Sequence, residues 1–349
     1  MDVTNSVSER RKAFYTRVYR QSFSPNGNCD SLVAADSRSR LCVFSVTASL
    51  TQKAFANCTR HPSAYIKLQH PVFALYPFKT VLLCGDSYGY LYAYQWSSIV
   101  NLTPTSLNPR TVFEVNHFSS TEQTKVLPNE LNAVTSVGDR IICGGAGDYG
   151  IRLLDPERPN KVIRLFSGHA DYINELKSRS ENEFLSASED GTVRLWDTRM
   201  NEVAHVFYIS QEMRLKEPGC GIGVCALDVQ GSFMVCGGDV CASIWHLESQ
   251  SLATVLPCDS PSSVRFTVAK MDTSKILIGG TCSSLFQFDY SGKSLATVKV
   301  TPSSLYSIES NCQPGRMMTV AAGDSQYIDV FLTLGYVSFT FNTSDNGEK

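Results

Sequence analysis

The stretch Ser167-Gly-His-Ala-Asp-Tyr-Ile173, followed by Glu183-Phe-Leu-Ser-Ala-Ser-Glu-Asp-Gly-Thr-Val-Arg-Leu-Trp-Asp197, decides the reading of this chain. Residues 184–188 and 192–196 are short runs of apolar and small residues. Between them Glu189-Asp190-Gly191 supplies the residue types of a tight turn, so the two runs read as a β-hairpin. Gly168-His169 stands ahead of the hairpin and Trp196-Asp197 closes it.

This is the grammar of a WD repeat, and it recurs. Taking Trp196 as the anchor that ends the second hairpin strand, equivalent bulky residues are Phe44, Tyr94, Leu154, Trp245, Phe288 and Phe331. The spacings along the chain are 50, 60, 42, 49, 43 and 43 residues. A WD blade takes about 40–45 residues, so each interval holds one blade and the excess marks insertions. The expected fold is all-β, a seven-bladed β-propeller of WD repeats occupying residues 14–342 as one domain. Residues 1–13 read as a polar extension and 343–349 as a tail. A short helix is expected over residues 8–19, and 336–341 alternates as the outer strand of the last blade. Residues 97–128 and 208–222 read as solvated loop insertions.

Composition bounds the partners. The 349 residues carry a formal charge of −2. No global pull toward nucleic acid or anionic lipid follows, and no apolar run reaches the length of a membrane span. The 12 cysteines form no C-x-x-C pair and mostly lie in apolar strand-like runs, such as those at Cys84 and Cys236. They read as small buried hydrophobes in a reducing compartment. Zinc ligation by Cys220 and Cys225 with Cys236 and Cys241 is the lesser alternative.

His169, Ser186 or Ser188, and Asp190 are the residue types of a hydrolase triad, but no G-x-S-x-G elbow presents the serine. With Trp196 they read instead as a hydrogen-bond chain that fixes the blade, with no catalytic role. Aspartate recurs six residues before the anchor as Asp148, Asp190 and Asp239; the other blades carry Arg38, Tyr88, Cys282 and Ser325 there and are expected to rely on apolar packing. The glycines of 144–147 and 237–238 read as turns with permissive backbone angles. Nothing in them opens a helix onto a phosphate, and no cofactor or small-molecule substrate is expected. Arg10, Arg11, Lys12, Arg17 and Arg20, interleaved with Phe14, Tyr15 and Tyr19, could meet RNA weakly or indirectly; a lead-in segment that is solvated or packed on a partner is the plainer reading.

Trp196-Asp197-Thr198-Arg199 resembles the W-D-x-R box through which substrate receptors of cullin-4 ubiquitin ligases engage their adaptor, with Asp197 and Arg199 as the contact residues. Blade geometry alone accounts for the same four residues. A wider resemblance is carried by Phe23-Ser-Pro-Asn-Gly, Phe233-Met-Val-Cys-Gly-Gly, Ile244-Trp-His-Leu and, above all, Ala321-Ala-Gly-Asp-Ser with Ile328-Asp-Val-Phe-Leu-Thr-Leu-Gly-Tyr. In these the chain is similar to the THO complex subunit 6 family. The resemblance implies a nuclear, non-enzymatic scaffold that docks on the coiled-coil subunits 5 and 7, supports higher-order assembly, and serves mRNP packaging and mRNA export.

Overall fold

The structure, a computed structural model, describes residues 15–25, 30–51, 59–101, 108–114, 129–215, 220–257, 264–311, 313 and 317–344. They form seven sheets, six of four antiparallel strands and one of four antiparallel strands with a fifth added in parallel, arranged as the blades of a propeller. The innermost strands are Val18–Phe23, Val72–Phe78, Leu131–Val137, Ile173–Ser178, Val224–Gln230, Phe266–Met271 and Leu305–Asn311. Each packs against the next, and the last against the first, around a central channel. The third strands, among them Val193–Asp197 of blade 4, carry the seven anchors.

Why those positions demand bulk is visible in the packing. Seven apolar clusters fill the seven interfaces between neighbouring blades. Every anchor lies in the cluster its blade shares with the preceding one: Phe44 with blade 7, Tyr94 with blade 1, Trp196 with blade 3, and likewise around the ring. Burying side chains of this size contributes roughly 1.5–3 kcal/mol each, so the spacing of anchors is the spacing of interfaces.

Two faces follow from the topology. The turns between second and third strands and the entries into the innermost strands make the upper face; the opposite connections make the lower face. On the upper face, the segment joining blades 4 and 5 folds into two short 3-10 turns, Ile209–Gln211 and Met213–Leu215. Residues 209–215 are anchored by fully buried Ile209 and Leu215, so they form a packed shelf rather than a solvated loop; residues 216–219 lie outside the described residues.

The structure departs from expectation at both insertions and at the N-terminal side. Val18 and Tyr19 lie in the first strand of blade 1, not in a helix, because Val18 is needed in the blade 1–blade 7 core; residues 8–14 lie outside the described residues. The 97–128 region supplies the outer strand of blade 2, Thr111–Glu114, behind a helix Trp96–Val100; 102–107 and 115–128 are outside the described residues. Phe339–Asn342 pairs antiparallel with Tyr327–Phe331 as the outer strand of blade 7.

The ring closes by a seam of two parts. Inside, strands 18–23 and 305–311 pack side by side. Outside, Thr59–Arg60, from the link between the last two strands of blade 1, pairs in parallel with Thr340–Phe341 of blade 7. The Arg60 guanidinium lies 3.7 Å from the Phe339 ring centroid. Arg40 donates to the Thr343 carbonyl at 3.0 Å, while Tyr65 and His61 bind the Ser344 carbonyl at 2.8 and 3.1 Å.

Candidate functional site

Three places hold the residues singled out by sequence. The first is the blade 4 turn. His169 Nδ1 lies 2.8 Å from Asp190 Oδ2, His169 Nε2 lies 2.6 Å from Ser186 Oγ, and Trp196 Nε1 donates to that same oxygen at 2.8 Å. One proton assignment satisfies all three: the indole donates to the serine, the serine hydroxyl to Nε2, and Nδ1–H to the carboxylate. Ser188 stands outside this chain; its hydroxyl donates to the Asp171 carbonyl and accepts from the Asp190 amide.

The distances are those of a hydrolase triad, so spacing does not dispose of that reading. Access does. Ser186 is fully buried and its oxygen already accepts the Trp196 indole proton, which leaves no approach for a substrate carbonyl. Burial lowers the His169 pKa, offset in part by Asp190, so the ring is neutral. Burial works the other way on Asp190, but the hydrogen bonds from His169, Thr192 and the Ala170 amide outweigh it and hold the carboxyl well below its usual range.

The position of Ser186, two residues beyond the partner of the anchor, is filled elsewhere by Ala34, Cys84, Cys143, Cys236, Ile278 and Ala321. Three cysteines therefore serve as small buried residues at one repeating site. Burial raises the Cys84 thiol and pushes Cys143 and Cys236 up to about 12, well away from thiolate chemistry. Cys225 sits beside the Arg265 guanidinium rather than among ligands. Among the described residues no group of three or more His, Cys, Asp or Glu could hold a metal ion.

Nor do blades 1 and 2 depend on apolar packing alone, and blades 3 and 5, which keep the aspartate, add polar contacts of their own. In blade 5 the serine has moved across the hairpin: Trp245 Nε1 donates to Ser243 Oγ at 3.0 Å. Blade 1 closes its turn with a buried Arg40–Asp36 pair at 2.8 Å, blade 3 with Arg152–Asp148, and blade 2 with a His70–Tyr88 stack at 4.0 Å.

The second place is the lower face. Arg199 folds back on Asp197 through its amide at 2.9 Å and its guanidinium at 2.6 Å, yet its side chain is 68% exposed. The pair is a local clasp that presents a cation to solvent.

The third is the channel, where Arg20, grouped by sequence with a basic lead-in segment that could meet RNA, has a different role. Arg20 points inward from blade 1 and bonds the Phe73 carbonyl of blade 2 at 3.1 Å, the Tyr306 carbonyl of blade 7 at 2.9 Å, and Glu175 of blade 4 at 3.2 Å. One guanidinium thus ties four blades together and stands between an upper cavity of about 260 Å³ and a lower one of about 380 Å³. Below it, Lys177 faces Glu175 and Asp228, and Lys270 pairs with Glu309 at 2.9 Å. With every cation opposite a carboxylate, this lining offers nothing to a phosphate backbone, and Arg20 is spent on the ring rather than on RNA.

Residues 160–197 match the WD domain, G-beta repeat family. Over 330 residues, 91% of this chain and 95% of the other, the sequence is 31% identical to the THO complex subunit 6 homolog of Danio rerio. It is 28% identical to THO complex subunit 6 of Homo sapiens over 96% of this chain and 95% of that one. Against THO complex subunit 6 of Drosophila melanogaster identity is 25%, over 70% and 67% of the two chains.

Proposed function

The chain belongs to the THO complex subunit 6 family, and from that premise we propose that it is a non-enzymatic scaffold subunit of a THO complex, acting in the nucleus in mRNP packaging and mRNA export. The observation that carries the proposal is likeness sustained over nearly the whole length of both chains, so that it spans all seven blades rather than the one regular repeat. The molecule suits the role: a braced ring with an obstructed, charge-balanced channel has its outer faces left for partners. The partners proposed are the other THO subunits, in particular coiled-coil subunits 5 and 7, with contact to RNA indirect.

A second reading rests on the exposed Arg199 beside Asp197: docking to the adaptor of a cullin-4 ligase as a substrate receptor. Affinity purification of the tagged full chain from nuclear extract separates the two. Recovery of THO subunits, unchanged in Arg199→Ala, is the expected outcome. Recovery of the ligase adaptor alone, abolished by Arg199→Ala, would overturn the scaffold proposal.

A further inference from the structure

The shelf between blades 4 and 5 is built at a cost in exposed apolar surface. Ile209 and Leu215 pin it down, but Tyr208, Met213 and Ile222 are left 53%, 76% and 55% exposed. The shelf rests on the blade 4 turn, where the Ser210 amide donates to the Gly191 carbonyl. Just inward of that turn is Tyr172, 48% exposed and edge-on to Tyr149 of blade 3 with ring centroids 5.7 Å apart. Exposed apolar side chains therefore recur across the upper face of blades 4 and 5, with Tyr172 reaching Tyr149 of blade 3, a surface of a kind that marks interaction sites.

Among the described residues its charge leans negative. The guanidiniums beside it are already committed: Arg152 to Asp148, Arg194 to Asp190, Arg214 to Glu212, and Arg265 to both Glu189 and Asp239. Asp171, next to Tyr172, adds a sixth carboxylate against those four cations. His169 is neutral and contributes no compensating charge. Tyrosine faces flanked by surplus carboxylates complement cationic side chains, which gain from the ring quadrupole and the acids together; the same surface repels a nucleic acid backbone.

We propose that this part of the upper face is a docking site for a basic protein segment, one in which arginine or lysine alternates with aliphatic anchors. The site is on the opposite face from Arg199, and the proposal stands whether or not the THO assignment does. Tyrosines and shelf residues grip the anchors and the stems of the cations, while Asp171, with the net negative balance of the paired turns behind it, meets the charges.

The test is fluorescence anisotropy with the full chain and three labelled probes: a short peptide of alternating arginine and leucine, its glutamate-for-arginine counterpart, and a single-stranded RNA oligonucleotide. The basic peptide is expected to bind saturably and the other two not. Tyr172→Ala with Ile222→Ser, which leaves the charge untouched, and Asp171→Lys should each weaken binding on the order of tenfold. Tyr336→Ala, equally exposed on the lower face, should leave it unchanged. All four residues are on the surface, so an unaltered melting temperature confirms that each variant is folded. Equal binding by every variant, or preference for the RNA, would overturn the proposal; so would loss in Asp171→Lys without loss in the apolar pair, which would mean bare charge attraction.

Discussion

A triad geometry sealed from solvent turns His169 into a stability element, and its ionisation gives that role a measurable sign. The native ring binds a proton less tightly than the unfolded chain, whose reference value is 6.5. Protonation therefore favours unfolding, and this contribution to stability is lost as pH falls below about 6.5. Asp190 behaves as a lowered carboxyl: its contribution is present above about 3.8 and lost as pH falls through and below that value. His169→Gln and Asp190→Ala are each expected to cost on the order of 1–3 kcal/mol near neutral pH, since each leaves a buried polar partner unpaired. In urea titrations the gap between wild type and His169→Gln should narrow between about pH 7.5 and 5.5, because only the wild type carries the depressed histidine. A gap that widens on acidification would mean the native ring is charged.

Within the blade, the second strand ends under a steric rule. Gly145, Gly238, Gly280 and Gly323 terminate it in blades 3, 5, 6 and 7, and at each a Cβ would fall inside van der Waals contact of the carbonyl that enters the innermost strand, Gly223 in the case of Gly238. Gly145 and Gly238 are expected from sequence as turns with permissive backbone angles; close approach of two strands is the actual reason, and it holds for Gly280 and Gly323 as well. Gly238→Ala is expected to destabilise by at least about 2–3 kcal/mol, whereas Gly231→Ala, at φ +57° with open space around it, should cost only about 1 kcal/mol. Chemical denaturation of the two variants checks the contrast, and equal losses would sink the close-approach explanation. The anchors and the blade 4 hairpin were legible because they follow a period and a turn chemistry that any sequence displays. The moved serine of blade 5, the shelf at 208–215 and the Cys-for-Ser replacements were not, because each depends on which side chain faces which across a hairpin or an interface, and periodicity is silent on that.

For the ring as a whole, stability lies in seven similar interfaces, of which the one between blades 7 and 1 alone has no continuous chain running through it. Arg20 and the outer strap compensate for that missing link, the first by joining four blades across the channel, the second by holding the backbone of 340–344 against blade 1. Neither could be read in advance, since both pair residues more than 270 positions apart. Ending the chain after Asn342 removes the carbonyls held by Arg40, His61 and Tyr65, and leaves Arg40 with one bond fewer. The loss is expected to be on the order of 2–4 kcal/mol, with hydrogen exchange rising first in blades 1 and 7. Uniform exchange across all blades would argue that the strap is dispensable. The strap also sets an order of events during synthesis. Phe44 and Val46 share their core with blade 7, whose outer strand brings Phe339 and Phe341 against it, so blade 1, the first of the seven to be made, is the last to be secured. Until the final strand is made, the nascent molecule is an open arc with an adhesive flank, a client for chaperones and unable to present its finished circumference to any partner.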